Sequence, residues 1–285
     1  MRGLVSHIEV ATPATVEEAI GTLASGTFTP VAGGTDVYVF LNAGKAVGDR
    51  VISLHGLRPE LRFISVNGVK LRVGALTTFR DVAGASAVIE RVPMLAAAAR
   101  TVGAAAIQCR GTVGGNIANA SPAGDSLPVW SVLDAEVEFR STQGTRRVAW
   151  DKLFLGYRKI DRRPDELLVA VNAKLPAPRA RQWYRKVGTR NAQAISKVVL
   201  AGLADVERGT VKDIRLSLGS VAATPVRLPK TEALLNGQKL TPALARAAVE
   251  SVKAEITPMD DVRSTATYRK HTAGNLVAEF LASLS

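Results

Sequence analysis

The chain has 285 residues, of which 47% are hydrophobic and 22% charged, and its formal net charge is +12 at pH 7. This balance is typical of a globular protein, and the length is sufficient for two domains with a core each. No apolar run reaches the roughly 18 residues of a membrane span, and the N-terminus lacks the features of a signal peptide. We therefore expect a cytoplasmic protein without a membrane span. A single cysteine, Cys109, excludes an internal disulfide and an iron–sulfur cluster held by this chain alone.

The excess of positive charge raises the question of nucleic-acid binding. The basic residues are scattered, with mild clusters at 158–163 and 179–190, and no nucleic-acid-binding motif accompanies them. We expect no nucleic-acid partner, because an acidic cofactor or an acidic partner subunit accounts for the charge equally well. The three histidines, His7, His55 and His271, are too far apart in the sequence to suggest a metal site, and we predict none.

The first sixty residues predict strands on either side of a helix. Residues 7–10 alternate as a short strand does, and Thr15 with Glu18 forms the capping-box pattern at the start of a helix. Residues 29–32 form an extended run that leads directly into a Gly-Gly turn, and residues 50–54 are typical of a buried strand. The predicted order is therefore strand, helix, strand, glycine turn and strand.

The clearest local signal is Asn67-Gly68, which lies between two alternating runs over residues 63–73 and predicts a hairpin with these two residues as its loop. The remaining elements of this half follow from caps, periodicity and turn residues. They are a helix beginning at Thr78, a helix beginning at Pro93 and ending at Gly103, a helix within 125–133, a hairpin of 136–139 with 146–150, and a long strand over 166–175.

A proline-marked segment at residues 176–181 predicts a linker between two domains. Beyond it the pattern changes to strands followed by helices, which is typical of a small α+β domain. The predicted strands cover 182–187, 197–207 and 210–220, and the predicted helices cover 241–254 and 265–284.

Two glycine-rich segments stand out, residues 31–37 and residues 110–128. Glycine beside Asn, Ser and Thr lets the backbone approach a ligand, and successive N–H groups can bind an anion. Neither segment has the pattern of a P-loop or of a Rossmann dinucleotide site. The amides of 33–36 and 114–116 are candidates for binding a pyrophosphate, and Asp125 for binding ribose hydroxyls. We predict that the two segments hold one phosphate-bearing cofactor from opposite ends; the alternative is that both are ordinary tight turns.

Residues 110–128 resemble the second FAD-binding loop of the flavin subunits of molybdenum hydroxylases, the medium subunits of the xanthine dehydrogenase and carbon monoxide dehydrogenase family. Residues 31–36 resemble the first FAD loop of these subunits. Residues 184–197, 219–227 and 261–270 are similar to the family's C-terminal flavoprotein domain. The similarity runs nearly end to end, in the same order and spacing. The chain departs from many relatives at Cys109-Arg110, where they have Arg-Asn.

The resemblance implies an α+β fold in two parts. The first is a two-lobed FAD-binding domain of the vanillyl-alcohol-oxidase-like (PCMH-type) class over residues 1–177, with lobes at about 1–57 and 58–177. The second is a small α+β C-terminal domain over residues 178–285.

The resemblance also implies a set of cofactor-binding positions in two groups. On one side of the FAD they are Val31, Ala32, Gly33, Gly34, Thr35 and Asp36. On the other side they are Val102, Gly103, Thr112, Gly115, Asn116, Ala118, Asn119, Ser121, Gly124 and Asp125, with Leu168 against the isoalloxazine or adenine ring and Lys186 reaching the flavin from the second domain.

Two of these neighbourhoods leave alternatives open. Lys186 either tunes the flavin potential by its positive charge or is a solvated lysine on a basic strand. For Cys109 we predict a small buried thiol, since free cysteines are among the most buried residues. Covalent flavin attachment and redox sensing are the alternatives there.

The implied function is that of an FAD-binding electron-transfer subunit, an oxidoreductase without a catalytic acid or base of its own. A molybdopterin-binding large subunit would oxidise the substrate, and a small subunit with two [2Fe-2S] clusters would pass electrons to this FAD and on to an external acceptor. The implied assembly is a dimer of heterotrimers. Neither the substrate (a purine or other N-heterocycle, an aldehyde or carbon monoxide) nor the acceptor follows from the sequence, although residues 192–197 favour the xanthine dehydrogenase-like branch.

Two other functions remain open at the level of sequence. One is a self-contained flavin-dependent oxidoreductase with its own substrate, which would need acid–base side chains over the flavin. The other is a basic binding module without a cofactor, which would show steep salt dependence.

Overall fold

The computed structural model describes residues 8–45 and 47–284, so His7 of the first predicted strand lies outside it. The N-terminal lobe is a three-stranded parallel sheet in the order β1-β3-β2. Its elements are β1 (Glu9–Ala11), α1 (Val16–Ala24), β2 (Thr29–Val31), α2 (Thr35–Asn42), β3 (Arg50–Ser53), a 3-10 turn (His55–Leu57) and α3 (Arg58–Leu61). The hydroxyl of Thr15 accepts the N–H of Glu18 at 3.2 Å, which confirms the predicted start of α1.

The second lobe is built on a five-stranded antiparallel sheet in the order β4-β5-β10-β6-β7, with helices packed on one face. Its strands are β4 (Ile64–Asn67), β5 (Lys70–Gly74), β6 (Glu136–Ser141), β7 (Gly144–Ala149) and β10 (Leu167–Lys174), and β8 (Phe154–Gly156) with β9 (Lys159–Ile160) forms a separate small hairpin. Its helices are α4 (Phe79–Gly84), α5 (Ser86–Arg91), α6 (Pro93–Thr101), α7 (Ala105–Gln108), α8 (Val113–Asn119), α9 (Leu127–Val132) and α10 (Trp150–Leu153).

The hairpin of β4 and β5 forms as predicted, but its loop lies one residue later in the sequence. Asn67 is paired with Lys70, so the two-residue loop is Gly68-Val69 rather than Asn67-Gly68. Gly68 has a φ of +58°. With glycine as the first loop residue, the positive φ falls where a type II′ hairpin turn requires it.

The C-terminal part is a four-stranded antiparallel sheet with helices on one face. Its elements are β11 (Arg181–Val187), β12 (Val198–Glu207), β13 (Thr210–Gly219), β14 (Val226–Arg227), α11 (Pro229–Leu235), α12 (Pro242–Glu255) and α13 (Ala266–Ala282). The predicted strands and the two long helices are confirmed, whereas β14 and α11 were not predicted. No helix within the described residues is long and apolar enough to cross a bilayer.

Strand β12 joins the C-terminal sheet to the second lobe because both of its faces are buried. Leu200 and Ala204 pack into the core beneath the C-terminal helices. Ala201 and Leu203, on the opposite face, belong to the core of the second lobe. The chain does cross between the two parts through residues 176–180, but apolar packing continues across them. An apolar core therefore holds the C-terminal sheet against the second lobe, and polar contacts across the junction add to it.

The face of β12 towards α13 has no room for a side chain at Gly202, since a Cβ there would lie 2.6 Å from a ring carbon of Phe280. We expect Gly202→Val to lower the free energy of unfolding by about 2 kcal/mol or more, as overpacking of a core does. Thermal or urea denaturation measures this. Gly21→Ala is the control, because a Cβ at Gly21 in α1 meets nothing within 4 Å. That replacement should stabilise the protein by about 0.5 to 1 kcal/mol. Equal effects of the two changes would contradict this packing.

Helix α4 begins with a complete capping box. The hydroxyl of Thr78 accepts the N–H of Asp81, and the carboxylate of Asp81 accepts the N–H of Thr78. Arg62 donates two hydrogen bonds of 2.7 and 2.8 Å to the same carboxylate. Burial raises the pKa of Asp81, but the bonds with Arg62 and Thr78 outweigh it and lower the pKa to about 2.

A carboxyl whose pKa is lower in the folded state stabilises the protein above its unfolded pKa and loses that contribution as pH falls through the folded value. We expect Asp81→Asn to lower the free energy of unfolding by about 1 to 2 kcal/mol at pH 6. The difference from the wild type should shrink between pH 4 and pH 2. Denaturation across this pH range measures it, and a difference that stays constant down to pH 2 would count against the lowered pKa.

Candidate cofactor-binding site

Two adjoining cavities run along the junction of the three parts of the fold. The inner cavity, of about 390 Å³, lies between the two lobes and includes residues of β2, α2, α8 and β10. The outer cavity, of about 580 Å³, lies between the second lobe and the C-terminal part, which contributes residues 193–196 and Arg269. Thr35, Asp36, Asn116 and Asn119 line both cavities. The α2 N-terminus therefore lies at the place where the two cavities meet.

The turn from β2 into α2 carries free hydrogen-bond donors. Within the described residues, the backbone N–H groups of residues 33–37 donate to no protein acceptor. Gly34 is the N-cap of α2 with a φ of +75° and no side-chain cap. An uncapped helix N-terminus offers N–H groups and the positive end of the helix dipole, which together favour an anion. This part of the cavity wall suits a phosphate.

The two glycine segments pack directly against each other. A Cβ at Gly33 would overlap the carbonyl oxygen of Arg110, and a Cβ at Gly115 would come within 4.0 Å of the Cβ of Ala32. The two segments therefore adjoin at these positions, and the idea that they hold one ligand from opposite ends stays a prediction. They form one continuous wall, because glycine at position 33 lets the two backbones touch.

The second glycine segment is also different from its predicted form. Residues 114–116 lie in the first turns of α8, where they hydrogen-bond within the protein. Gly114 N–H donates to the carbonyl of Ala75 at 2.9 Å, Gly115 N–H to the hydroxyl of Thr112 at 3.0 Å, and Asn116 N–H to the carbonyl of Thr112 at 2.9 Å. These amides are not free for a phosphate, contrary to the prediction. Gly114 instead allows close packing, since a Cβ there would lie 2.6 Å from that of Ala75.

The polar side chains of α8 form the rest of this wall. The amide oxygen of Asn116 accepts the hydroxyl of Ser126 at 2.8 Å, which orients the amide nitrogen as a further donor. The amide oxygen of Asn119 accepts Arg158 Nη1 at 2.7 Å. Arg158 lies at the tip of the β8–β9 hairpin, and its guanidinium carbon is 5.4 Å from the centre of the Phe40 ring on α2. The hairpin thus connects α8 with α2 beside the outer cavity.

A buried ion pair links the outer cavity to the C-terminal sheet. Asp125 is 8% exposed, and its carboxylate accepts Lys186 Nζ at 2.7 Å and the hydroxyl of Ser196. Lys186 also donates to the carbonyl of Thr101 at 2.9 Å. Burial raises the pKa of Asp125, and Lys186 and Ser196 oppose that change. Burial, and then the charge of Asp125, raise the pKa of the neighbouring Tyr184 hydroxyl.

The predicted cofactor positions meet in this pair of cavities, with the exception of Lys186. The inner cavity is lined by Val31, Ala32, Gly33, Gly34, Thr35, Asp36, Val102, Thr112, Gly115, Asn116, Ala118, Asn119 and Leu168. Gly103, Ser121, Gly124 and Asp125 line the outer cavity. Lys186 lines neither cavity, because its ammonium is bound behind the wall by Asp125 and Thr101. Lys186 therefore supports the wall of the outer cavity through its bond to Asp125.

Several lining residues were not foreseen. Phe40, Phe79, Leu54 and Leu76 contribute apolar surface to the inner cavity, and Arg162 contributes a cation. The sequence showed residues 158–163 only as a cluster of basic residues. Nothing local shows which of its side chains faces a cavity, because that depends on how the β8–β9 hairpin folds back over α8.

Cys109 is exposed, so the prediction of a buried thiol is wrong. It follows directly after the short surface helix α7, as its C-cap. Burial statistics for cysteine do not apply where the chain itself stays at the surface. Within residues 8–45 and 47–284, no three His, Cys, Asp or Glu side chains come together as metal ligands would.

The Asp125–Lys186 pair gives a direct test of the link between the cavity wall and the C-terminal sheet. Removing one member leaves the other buried and unpaired, so we expect Lys186→Met and Asp125→Asn each to cost about 3 to 5 kcal/mol of unfolding free energy. The double variant should lose less than the sum of the two. Urea denaturation of the four proteins measures this.

The matched control is Lys212→Met, on β13, whose side chain is 49% exposed and 3.9 Å from Glu207. It should change stability by less than about 0.5 kcal/mol. Additive losses in the double variant would show that the two buried groups do not depend on each other.

Comparison with known proteins identifies the family of this chain. Residues 6–178 match the family described as FAD binding domain in molybdopterin dehydrogenase, and residues 182–284 match the CO dehydrogenase flavoprotein C-terminal domain. The xanthine dehydrogenase FAD-binding subunit of Escherichia coli is 30% identical over 261 residues, which cover 90% of this chain and 89% of that protein. The glyceraldehyde dehydrogenase medium chain of Sulfolobus acidocaldarius is 30% identical, with 85% of each chain covered.

The fold agrees with the sequence comparison. The carbon monoxide dehydrogenase of Hydrogenophaga pseudoflava, in a form lacking the Mo-pyranopterin moiety of the molybdenum cofactor, contains a chain that superposes with a TM-score of 0.92 at 28% identity, covering 96% of this chain and 95% of that one. The α+β architecture expected from the resemblance is thereby confirmed. The chain belongs to the FAD-binding subunits of the molybdenum hydroxylase family and is an FAD-dependent oxidoreductase subunit.

Proposed function

We propose that the two cavities together bind one FAD, with its pyrophosphate at their junction. The observation that carries the proposal is the set of free N–H groups at residues 33–37, at the N-terminus of α2. A pyrophosphate needs such donors, and none of them is used by the protein within the described residues. Thr35 and Asp36 line both cavities, so a ligand bound there can extend into each of them.

The linings of the two cavities support an assignment of the two ends of the cofactor. The inner cavity is enclosed by apolar side chains such as Leu54, Leu76 and Leu168, which suits the adenine ring. The outer cavity contains more polar groups and is bordered by exposed residues such as Tyr157 and Met259, 65% exposed each. Electrons must enter and leave through the isoalloxazine ring, so the ring belongs in the cavity that faces the surface.

Bound FAD supplies chemistry that no side chain offers, since a flavin accepts electrons one at a time and releases them as a pair. The protein contributes binding and orientation. The N–H groups at the α2 N-terminus would donate hydrogen bonds to the phosphates, and the Asp125–Lys186 pair holds the wall of the outer cavity in place. The candidate set of cofactor-binding residues stays as predicted, with Lys186 acting through Asp125.

Several acid–base groups at the outer cavity are engaged within the protein. Asp125 is engaged by Lys186 and Ser196, and Asp261 by Arg269 and by backbone N–H groups. Among the described residues, His55 and His271 line neither cavity, whereas Asp36 and Tyr157 line the outer cavity without a side-chain hydrogen bond. Side chains that must move protons during substrate oxidation need to be free to reach the flavin. An electron-transfer role fits these walls better.

The electron path extends beyond this chain. We propose that substrate is oxidised in a molybdopterin-binding large subunit, that a small subunit passes electrons through [2Fe-2S] clusters to this FAD, and that an external acceptor removes them. Names such as "medium chain" and "FAD-binding subunit" among the relatives support a multi-subunit assembly. A dimer of heterotrimers in the cytoplasm remains our prediction.

The substrate belongs to the partner on this proposal. Relatives of similar identity are named for xanthine, glyceraldehyde, nicotine and carbon monoxide. A chain that accepts electrons after the chemical step need not differ with the substrate. The xanthine dehydrogenase-like branch stays our expectation from residues 192–197.

The proposal predicts one FAD per chain. Apoprotein titrated with FAD should quench flavin fluorescence to a single equivalence point. Gly33→Val should weaken binding by about 100-fold or more, because a side chain there displaces the turn from Arg110. Gly21→Ala, far from both cavities, should bind as the wild type does. Absence of flavin from the protein purified with its natural partners, together with a failed titration, would refute the proposal.

A further inference from the structure

Arg162 is an unusual residue in the wall of the inner cavity. It lines this cavity together with apolar residues such as Pro30, Leu54 and Leu167, and its side chain is only partly accessible. Within the described residues, no carboxylate oxygen lies within 4.0 Å of its guanidinium. The side chain keeps some contact with solvent, so its charge does not require an anionic partner. Its unused N–H donors are available to a ligand that enters the cavity.

The position of the Arg162 guanidinium is set by a rigid neighbour. Its Nη1 donates to the carbonyl of Glu166 at 2.7 Å and to that of Pro164 at 3.3 Å. Glu166 is 1% exposed and receives two hydrogen bonds of 2.7 Å from Arg146. One corner of the guanidinium is thereby held, while Nε and Nη2 of Arg162 donate to no acceptor among the described residues.

Burial lowers the pKa of Arg162, and the charges of Glu166 and Asp165 oppose that change. The neighbouring Arg163 shows the ordinary behaviour of a basic residue on this loop, since its side chain is 56% exposed and lies 4.0 Å from Glu166. The two arginines are adjacent in sequence and differ in whether they face the cavity. They form a matched pair for a test.

We propose that Arg162 binds the adenine of FAD in the inner cavity and makes the site selective for the dinucleotide over FMN. This inference rests on the proposed function and on the assignment of the adenosine half to the inner cavity. The free Nε and Nη2 groups can donate to ring nitrogens of adenine, and the planar guanidinium can stack on the ring. The phosphates already have the amides of residues 33–37, so Arg162 is not needed there.

The test compares ligands that share parts of FAD. Arg162→Met keeps much of the side-chain length and removes the charge and the donors. We expect it to weaken FAD and ADP about 10- to 100-fold, as loss of hydrogen bonds from a charged group does. FMN affinity should change less than twofold. Fluorescence quenching measures the flavins, and calorimetry measures ADP, on full-length apoprotein.

Two further variants separate recognition from general damage. Arg163→Met should leave all three affinities unchanged. Arg162→Lys keeps the charge without the planar fork, so it should recover at most a part of the FAD affinity. The melting temperature of each apoprotein variant, measured without ligand, shows whether the fold is intact.

The outcomes distinguish this inference from the proposed function. If wild-type protein binds FAD and Arg162→Met binds it within twofold of the wild type, the role of Arg162 is refuted while the function stands. An equal loss for FMN would also refute it, because Arg162 would then act on a part that both flavins share. Failure of the wild type to bind FAD at all would remove both proposals.

Discussion

The absence of a side chain at Gly33 is the constraint on which the cofactor site depends. Because the backbone of this turn lies against the carbonyl of Arg110, the two glycine segments form one wall instead of facing each other across a gap. The helix that follows begins without a side-chain cap, and its first N–H groups remain free at the junction of the cavities. Glycine at position 114 has a different task, since it brings α8 against Ala75 while its amide is used within the protein. The pairs Gly33-Gly34 and Gly114-Gly115 therefore have different structural roles.

The C-terminal part completes the site and is attached to it in two ways. Ala201 and Leu203 of β12 pack into the core of the second lobe, which gives an extensive apolar attachment. The buried pair of Lys186 and Asp125 adds a specific one, at 2.7 Å. A buried ion pair contributes little net stability compared with apolar packing, but it strongly disfavours arrangements in which either charge is left alone. Its effect is to hold the outer cavity in one geometry, where we propose that the flavin ring meets its redox partner.

The names of relatives of similar identity refer to different substrates: xanthine, glyceraldehyde, nicotine and carbon monoxide. The structure offers a physical reason. The free donors and the apolar lining suit FAD, and two of the acidic groups of the outer wall, Asp125 and Asp261, are bound within the protein. Specificity for a substrate has no evident place here. The chain can vary how strongly it binds each part of the cofactor. On our proposal Arg162 sets the affinity for the adenine, and the glycine motifs gave no sign of this residue.

Much of the fold was predictable because its signals are local. The caps at Thr15 and Thr78 start helices through hydrogen bonds three residues away, and alternation marked the strands of both sheets. Nearly all of the positions that the family motifs indicate line one of the two cavities, although the cavities have many further lining residues. Tertiary structure alone decided which amides are free, that Lys186 is bound by Asp125 instead of facing the cavity, that Cys109 is exposed, and that Arg162 rather than Arg163 lines the inner cavity. Each of these depends on contacts between residues distant in sequence, and neither composition nor spacing contains them.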